Sequence, residues 1–124
     1  ASAIFLAREG KTKEEIRQSI ENLFNYSMDE SIDSLREHYQ FDVTCQGSVP
    51  QAITAFLESD HFEDAIRKAV SIGGDSDTIA CIAGGIAHAY YKEIPEPIVD
   101  QVYRTLDSRL RRIVTLFCNK YSCH

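Results

Sequence analysis

Residues 79–91 read Ile-Ala-Cys-Ile-Ala-Gly-Gly-Ile-Ala-His-Ala-Tyr-Tyr and place Ala80, Ala83, Gly84 and Ala87 at three- and four-residue spacing. On a helix that spacing stacks the small residues on one face. Gly84 and Gly85 would each cost about 1 kcal/mol relative to alanine in a helix interior, a cost tolerated where another backbone approaches closely. Ile79, Ile82 and Ile86 supply a bulkier face. A helix with both faces apolar is a central one, enclosed by its neighbours. This segment therefore predicts a packed assembly of helices with residues 79–91 in the middle.

The remaining segments agree. Residues 1–8 carry apolar and small side chains at helical spacing and stop at Glu9 and Gly10. No capping residue or initiator Met precedes them, so the helix reads as cut from a longer chain. Thr12 and Glu15 form a capping box, followed by a buried stripe of Ile16, Ile20 and Phe24 with Leu23 beside it. A short polar helix is expected around Ile32 and Leu35. Residues 41–50 have no helical period and read as a loop, with Pro50 in the first turn of the next helix. That helix is expected to bury Ala52, Ile53, Phe56 and Leu57. Asp60 and Glu63 resemble another capping box, with Ala65, Ile66, Ala69 and Val70 inward. After the breaks at Pro95 and Pro97, a last helix carries Leu110, Ile113, Val114 and Phe117. No alternation of strand type persists, and the expected fold class is all-α in one segment, residues 1–124.

Charge narrows the partners. The 124 residues carry a net charge of −6, which repels phosphate backbones at long range, so no nucleic-acid partner is expected. Arg104, Arg109, Arg111 and Arg112 are read as a solvated helix face. No apolar run reaches the ~20 residues of a membrane span, and no signal peptide is visible. The cysteines at 45, 81, 118 and 123 lack zinc-ligand spacing even with His124 nearby. Reduced thiols in a cytoplasmic protein are expected.

The chemistry is concentrated at residues 73–78, Gly-Gly-Asp-Ser-Asp-Thr, at the start of the small-residue helix. Two glycines permit backbone angles that other residues resist. Asp75 and Asp77 then lie close together, and their like charges raise the cost of ionising both. A helix amino terminus offsets part of that, up to about 2 kcal/mol in partly buried geometry. A divalent cation would offset far more. Asp75, Asp77 and Thr78 are all hard oxygen donors, suited to Mg²⁺. Asp, Ser and Thr are also the preferred helix caps, and the segment could serve only to start a helix. Both readings stay open on the residues alone. His88 is read as a packed core histidine, and Tyr90 and Tyr91 as core or edge aromatics.

The run Gly-Gly-Asp-Ser-Asp-Thr-Ile-Ala, continuing into the small-residue helix and Ala89-Tyr90-Tyr91, resembles the carboxy-terminal motif of the ADP-ribosylglycohydrolases, including the bacterial dinitrogenase-reductase-activating glycohydrolases. Residues 41–59, with Val-Pro-Gln-Ala-Ile at 49–53, resemble the segment before that motif. The likeness extends over essentially the whole chain, although only the 73–78 motif is highly specific. It implies an all-α fold and a binuclear Mg²⁺ or Mn²⁺ centre that hydrolyses the glycosidic bond between ADP-ribose and a protein side chain such as arginine. It further implies Asp75, Asp77 and Thr78 as metal ligands, Asp77 nearest both ions, and Gly74, Ser76 and Gln46 towards substrate. The expected partners are ADP-ribose or an ADP-ribosylated protein. The family's other acidic ligands, its catalytic glutamate and its phosphate-binding glycine loop come from an amino-terminal half not found in these residues. No general acid or base is therefore assigned here, and the chain alone is expected to be inactive. An apolar face left uncovered predicts a homo-oligomer or domain swap.

Overall fold

The computed structural model describes residues 1–121 and contains eight helices among them. They are α1 (Ser2–Arg8), α2 (Lys13–Phe24), α3 (Ile32–His38), α4 (Cys45–Leu57), α5 (Phe62–Ser71), α6 (Ser76–Tyr91), α7 (Glu96–Thr105) and α8 (Ser108–Tyr121). No strand occurs among the described residues, so the fold is all-α. The chain divides into two compact units, Ala1–Tyr91 and Lys92–His124.

In the first unit α6 is the central element, packed against α1, α4 and α5. Its Ile79, Ala83 and Ala87 are fully buried, and Ile86 is nearly so. Each buried isoleucine contributes roughly 1.5–3 kcal/mol of transfer free energy. A methyl group at Gly84 would lie 2.8 Å from Ile66 Cδ1 on α5. The close neighbour at this glycine is thus a side chain rather than the backbone that the sequence suggested. Gly85 is exposed, with Ile4 Cδ1 at 3.4 Å from a built Cβ. The facing helix α5 supplies Ala65 and Ala69, both fully buried. Small residues on both partners let the two axes approach.

The ends of these helices are tied chemically. Thr12 Oγ1 accepts from the Glu15 backbone N–H at 3.2 Å, and Glu15 Oε2 accepts from the Thr12 backbone N–H at 2.8 Å. The box expected from the sequence is formed. The next residue, Lys13, donates from Nζ to the carbonyl oxygens of Leu57 (3.1 Å) and Ser59 at the end of α4. The same ammonium sits 5.4–5.8 Å from the ring centres of Phe56, Tyr90 and Tyr91. A cation there satisfies terminal carbonyls and meets the negative ends of two helix dipoles and three aromatic faces. Tyr91 Oη donates to the Ser59 carbonyl at 2.6 Å and closes the same corner. His88 is partly buried, edge-on to Phe62 with ring centres 6.5 Å apart.

Several sequence expectations are corrected. Residues 41–50 are not a loop throughout, because α4 begins at Cys45, and Pro50 lies inside it rather than in its first turn. Thr44 starts the helix early, its Oγ1 accepting from the Gly47 N–H at 3.0 Å. The cap of α5 is His61, not Asp60. His61 Nδ1 accepts from the Asp64 N–H, while Asp64 Oδ2 accepts from the Asp60 N–H. The pairing has moved one residue along, and Asp64 also holds Lys68. Val70 is exposed, since α5 turns only its alanine face and Phe62 fully inward. The α2 stripe ends at Ile20, and Leu23 and Phe24 are exposed.

The second unit is the pair α7 and α8. Pro97 falls in the first turn of α7, where its missing N–H is not needed. Leu110, Ile113 and Phe117 of α8 are 47–56% exposed, and neither helix has a buried residue. Cys45 and Cys81 are exposed thiols. The Cys118–Cys123 spacing and His124 reach outside the described residues.

The α3 region carries a pH-dependent contact. His38 Nε2 pairs with Glu30 Oε1 across the helix. The pairing raises the His38 pKa above its ordinary value, and the hydrogen bond from His38 lowers that of Glu30. The raised histidine contributes stability at low pH that disappears as pH rises through its folded pKa. The lowered glutamate contributes stability that disappears as pH falls through its own. The contribution is therefore confined between the two. Thermal melting of wild type and His38→Asn should differ at about pH 5.5, and the two curves should converge by about pH 8.5.

Candidate metal and substrate site

The acidic motif sits where the central helix begins. The chain leaves α5 through Ile72, which is buried, and turns at Gly73 and Gly74 with φ of 83° and 62°. These left-handed angles cost a residue with a side chain about 1–2 kcal/mol, which is why two glycines stand here. The Ile79 N–H then donates to the Asp75 carbonyl at 3.1 Å, closing the first turn of α6. Asp75 and Ser76 are half-buried, and Asp77, Thr78 and Gly74 are exposed.

Asp75 and Asp77 stand two residues apart where α6 begins. Asp77 is held below its ordinary pKa first by a hydrogen bond with the Asp75 carboxyl, then by the Thr78 backbone N–H, which lies 2.9 Å from Asp77 Oδ1. Two carboxylates this close in sequence at a helix amino terminus repel when both are ionised. A shared proton relieves the repulsion of one charge. A divalent ion relieves both. The donor set is carboxylate, carboxylate and hydroxyl, all hard oxygens, and fits Mg²⁺ or Mn²⁺ in kind. It is not a full coordination sphere. Among the described residues no three His, Cys, Asp or Glu side chains gather in a metal-binding cluster.

Gln46 lies elsewhere, in the first turn of α4, lining an open cavity of about 470 Å³ with His38, Tyr39, Gln40, Phe41, Asp42, Gly47 and Gln51. Gln51 Oε1 is buried there without a hydrogen-bond partner. Two residues that the sequence did not single out organise this region. Asp42 Oδ1 accepts from the Thr44 N–H and hydroxyl, each at 2.7 Å, and those bonds lower its pKa. Its carboxyl carbon occupies the space where a Cβ on residue 47 would go, 2.1 Å from the built position, so that only glycine fits. Tyr39 donates from its hydroxyl to the Gly47 carbonyl, and its ring lies against Gly74, with Cε1 2.5 Å from a built Cβ. Burial raises the Tyr39 pKa, and the charges of Asp42 and Asp75 add to the rise. One aromatic side chain thus joins the first turn of α4 to the turn before α6. Nothing local in the sequence marks it, because these contacts follow no helical or strand period.

The first unit is all-helical, and its enclosed central helix opens with two carboxylates. A model of the ADP-ribosylglycohydrolase family matches residues 1–122. The chain belongs to that family. It is 40% identical over 60 residues to the ADP-ribosylhydrolase ARH3 of Danio rerio, covering 45% of this chain and 16% of that protein. It is 44% identical over 48 residues to an uncharacterised protein of Archaeoglobus fulgidus, covering 39% of this chain and 16% of the relative. The matched stretch is thus about a sixth of the length of either relative. No solved structure matches the chain.

The two turn glycines should respond unequally to substitution. Gly73 has open space around a built Cβ, so Gly73→Ala meets only the backbone penalty and should lower stability by about 1–2 kcal/mol in urea unfolding. Gly74→Ala adds a collision with the Tyr39 ring and should cost roughly 1–3 kcal/mol more.

Proposed function

We propose that this chain supplies Asp75, Asp77 and Thr78 to a binuclear Mg²⁺ or Mn²⁺ centre that hydrolyses the bond between ADP-ribose and a protein side chain. The observation that carries the reading is the placing of two carboxylates and a hydroxyl at the head of an enclosed helix. A cap needs one acceptor, and a second carboxyl close to the first is unfavourable unless something positive or a proton lies between them. Family membership supports the hydrolase reading, and the hard-oxygen donor set supports the metal. Bound ions would hold ribose hydroxyls and polarise water.

The residues here would bind and orient. Asp77, exposed at the tip, would be the carboxylate nearest both ions, with Asp75, half-buried, as a second ligand. Thr78 would add its hydroxyl. Gly74 and Ser76 would border the substrate, and Gln46 would reach it from α4. None of the 124 residues is assigned as general acid or base. Those groups and the remaining ligands belong to the rest of the catalytic unit, and the chain alone should not hydrolyse ADP-ribosyl-arginine. ADP-ribose or an ADP-ribosylated protein is the proposed partner. No described helix is long and apolar enough to cross a membrane, and a cytoplasmic location is proposed.

Mn²⁺ should bind the isolated chain weakly and measurably by electron paramagnetic resonance. Asp77→Asn should reduce that affinity at least about 100-fold, since losing even a group behind a ligand costs 10–100-fold. If Asp75→Asn and Asp77→Asn shift helix stability by about 1 kcal/mol and leave metal affinity unchanged, the motif is a cap and the hydrolase reading of it fails. Self-association is also proposed, supported by exposed Phe5, Leu23 and Phe24 in the first unit and Leu110, Ile113 and Phe117 in the second. Light scattering at rising concentration should show a dimer or larger species. A monomer throughout would refute that part.

A further inference from the structure

We infer that Tyr39 is a positioning residue for the carboxylate pair, acting through Gly74. This rests on the proposed metal reading and extends it to a residue outside the acidic motif. The ring is wedged between two anchored surfaces. On one side its hydroxyl donates to the Gly47 carbonyl in the first turn of α4, itself set by the Thr44 cap. On the other its edge occupies the space beside the Gly74 Cα, with Cε1 and Cδ1 at 2.5 and 3.1 Å from a built Cβ. The base of the ring is fixed as well. Tyr39 closes α3, its N–H donating to the Leu35 carbonyl at 2.8 Å, and it packs against the core cluster of Ile32, Leu35, Ala52 and Ile79.

The consequence falls on the next residue. Gly74 is left-handed at φ 62°, a conformation in which glycine also moves freely to other angles. Unsupported, the Gly-Gly turn would let Asp75 swing away from Asp77. A rigid ring against Gly74 removes that freedom and fixes the direction in which the chain carries Asp75 into α6. The hydroxyl bond to Gly47 locates the ring, and the ring contact restrains the turn. A site whose ligands are held within about 0.5 Å needs such a support.

The test uses Tyr39→Leu, Tyr39→Phe and Asp77→Asn in the full chain, with Mn²⁺ as the probe and amide hydrogen exchange as a second readout. Tyr39→Leu should weaken Mn²⁺ binding about 10-fold and speed exchange about 10-fold at residues 74–79. Amides of α2 should keep their rates. Tyr39→Phe keeps the ring and should restore both readouts to within about threefold of wild type. If wild type and Asp77→Asn bind Mn²⁺ equally poorly while Tyr39→Leu still loosens residues 74–79 alone, the metal reading falls and the support of the turn stands. Unchanged exchange at 74–79 in Tyr39→Leu, or a uniform rise across the chain, overturns the inference whatever the metal does. Unchanged Mn²⁺ affinity in Tyr39→Leu, where Asp77→Asn has lost it, overturns it too.

Discussion

The arrangement depends on the enclosure of α6. Its Ala83, Gly84 and Ala87 allow α5 to approach until Ile66 fills the space that a side chain at 84 would take. Ile79 and Ile86 fill the remaining volume. A helix surrounded in this way cannot shift or roll without opening voids, and voids in a packed interior are costly. Its first turn is therefore fixed in space, and so are the groups that the turn carries. The acidic motif would be an ordinary exposed turn on a helix free to move.

A second constraint acts on the turn itself. Gly73 and Gly74 give the chain the left-handed bend that it needs, and with it the looseness of residues without a side chain. Tyr39 and the early start of α4 answer that looseness. Thr44 caps α4 before Cys45, which brings Gly47 into the first turn, where its carbonyl meets the Tyr39 hydroxyl. Asp42 fills the space above Gly47 and makes glycine obligatory there as well. Two glycines in two separate motifs are thus explained by one tyrosine and one aspartate that belong to neither.

At the other end of α6, Lys13 does a comparable task by different means. Its ammonium meets the carbonyl ends of α4 among the rings of Phe56, Tyr90 and Tyr91. The central helix is thus held at both termini, through an aromatic ring at its head and a cation among aromatics at its foot. The capping box that starts α2 places Lys13 at the first helical position and so directs it to this corner.

Much of this was legible in the residues alone. The helical periods, the Thr12–Glu15 box and the small-residue face are local patterns, and local patterns follow from backbone geometry over a few residues. The position of Asp75 and Asp77 at the start of α6 was legible for the same reason, since Gly73 and Gly74 mark the break before that helix. The start of α4 was not, because Pro50 signals a first turn while Thr44 supplies a competing cap six residues earlier, and only packing selects between them. Nor was the exposure of Val70, Leu23 and Phe24, which depends on where neighbouring helices end. Tyr39 was invisible because its contacts with Gly47 and Gly74 follow no helical or strand period and form only when the helices pack. The sequence by itself determined which segments are helical and where the hard donors cluster, because both are matters of neighbouring residues. The tertiary structure alone decided which helix is enclosed by which, and what steadies the turn that carries the carboxylates, because those depend on surfaces brought together only when the chain has folded.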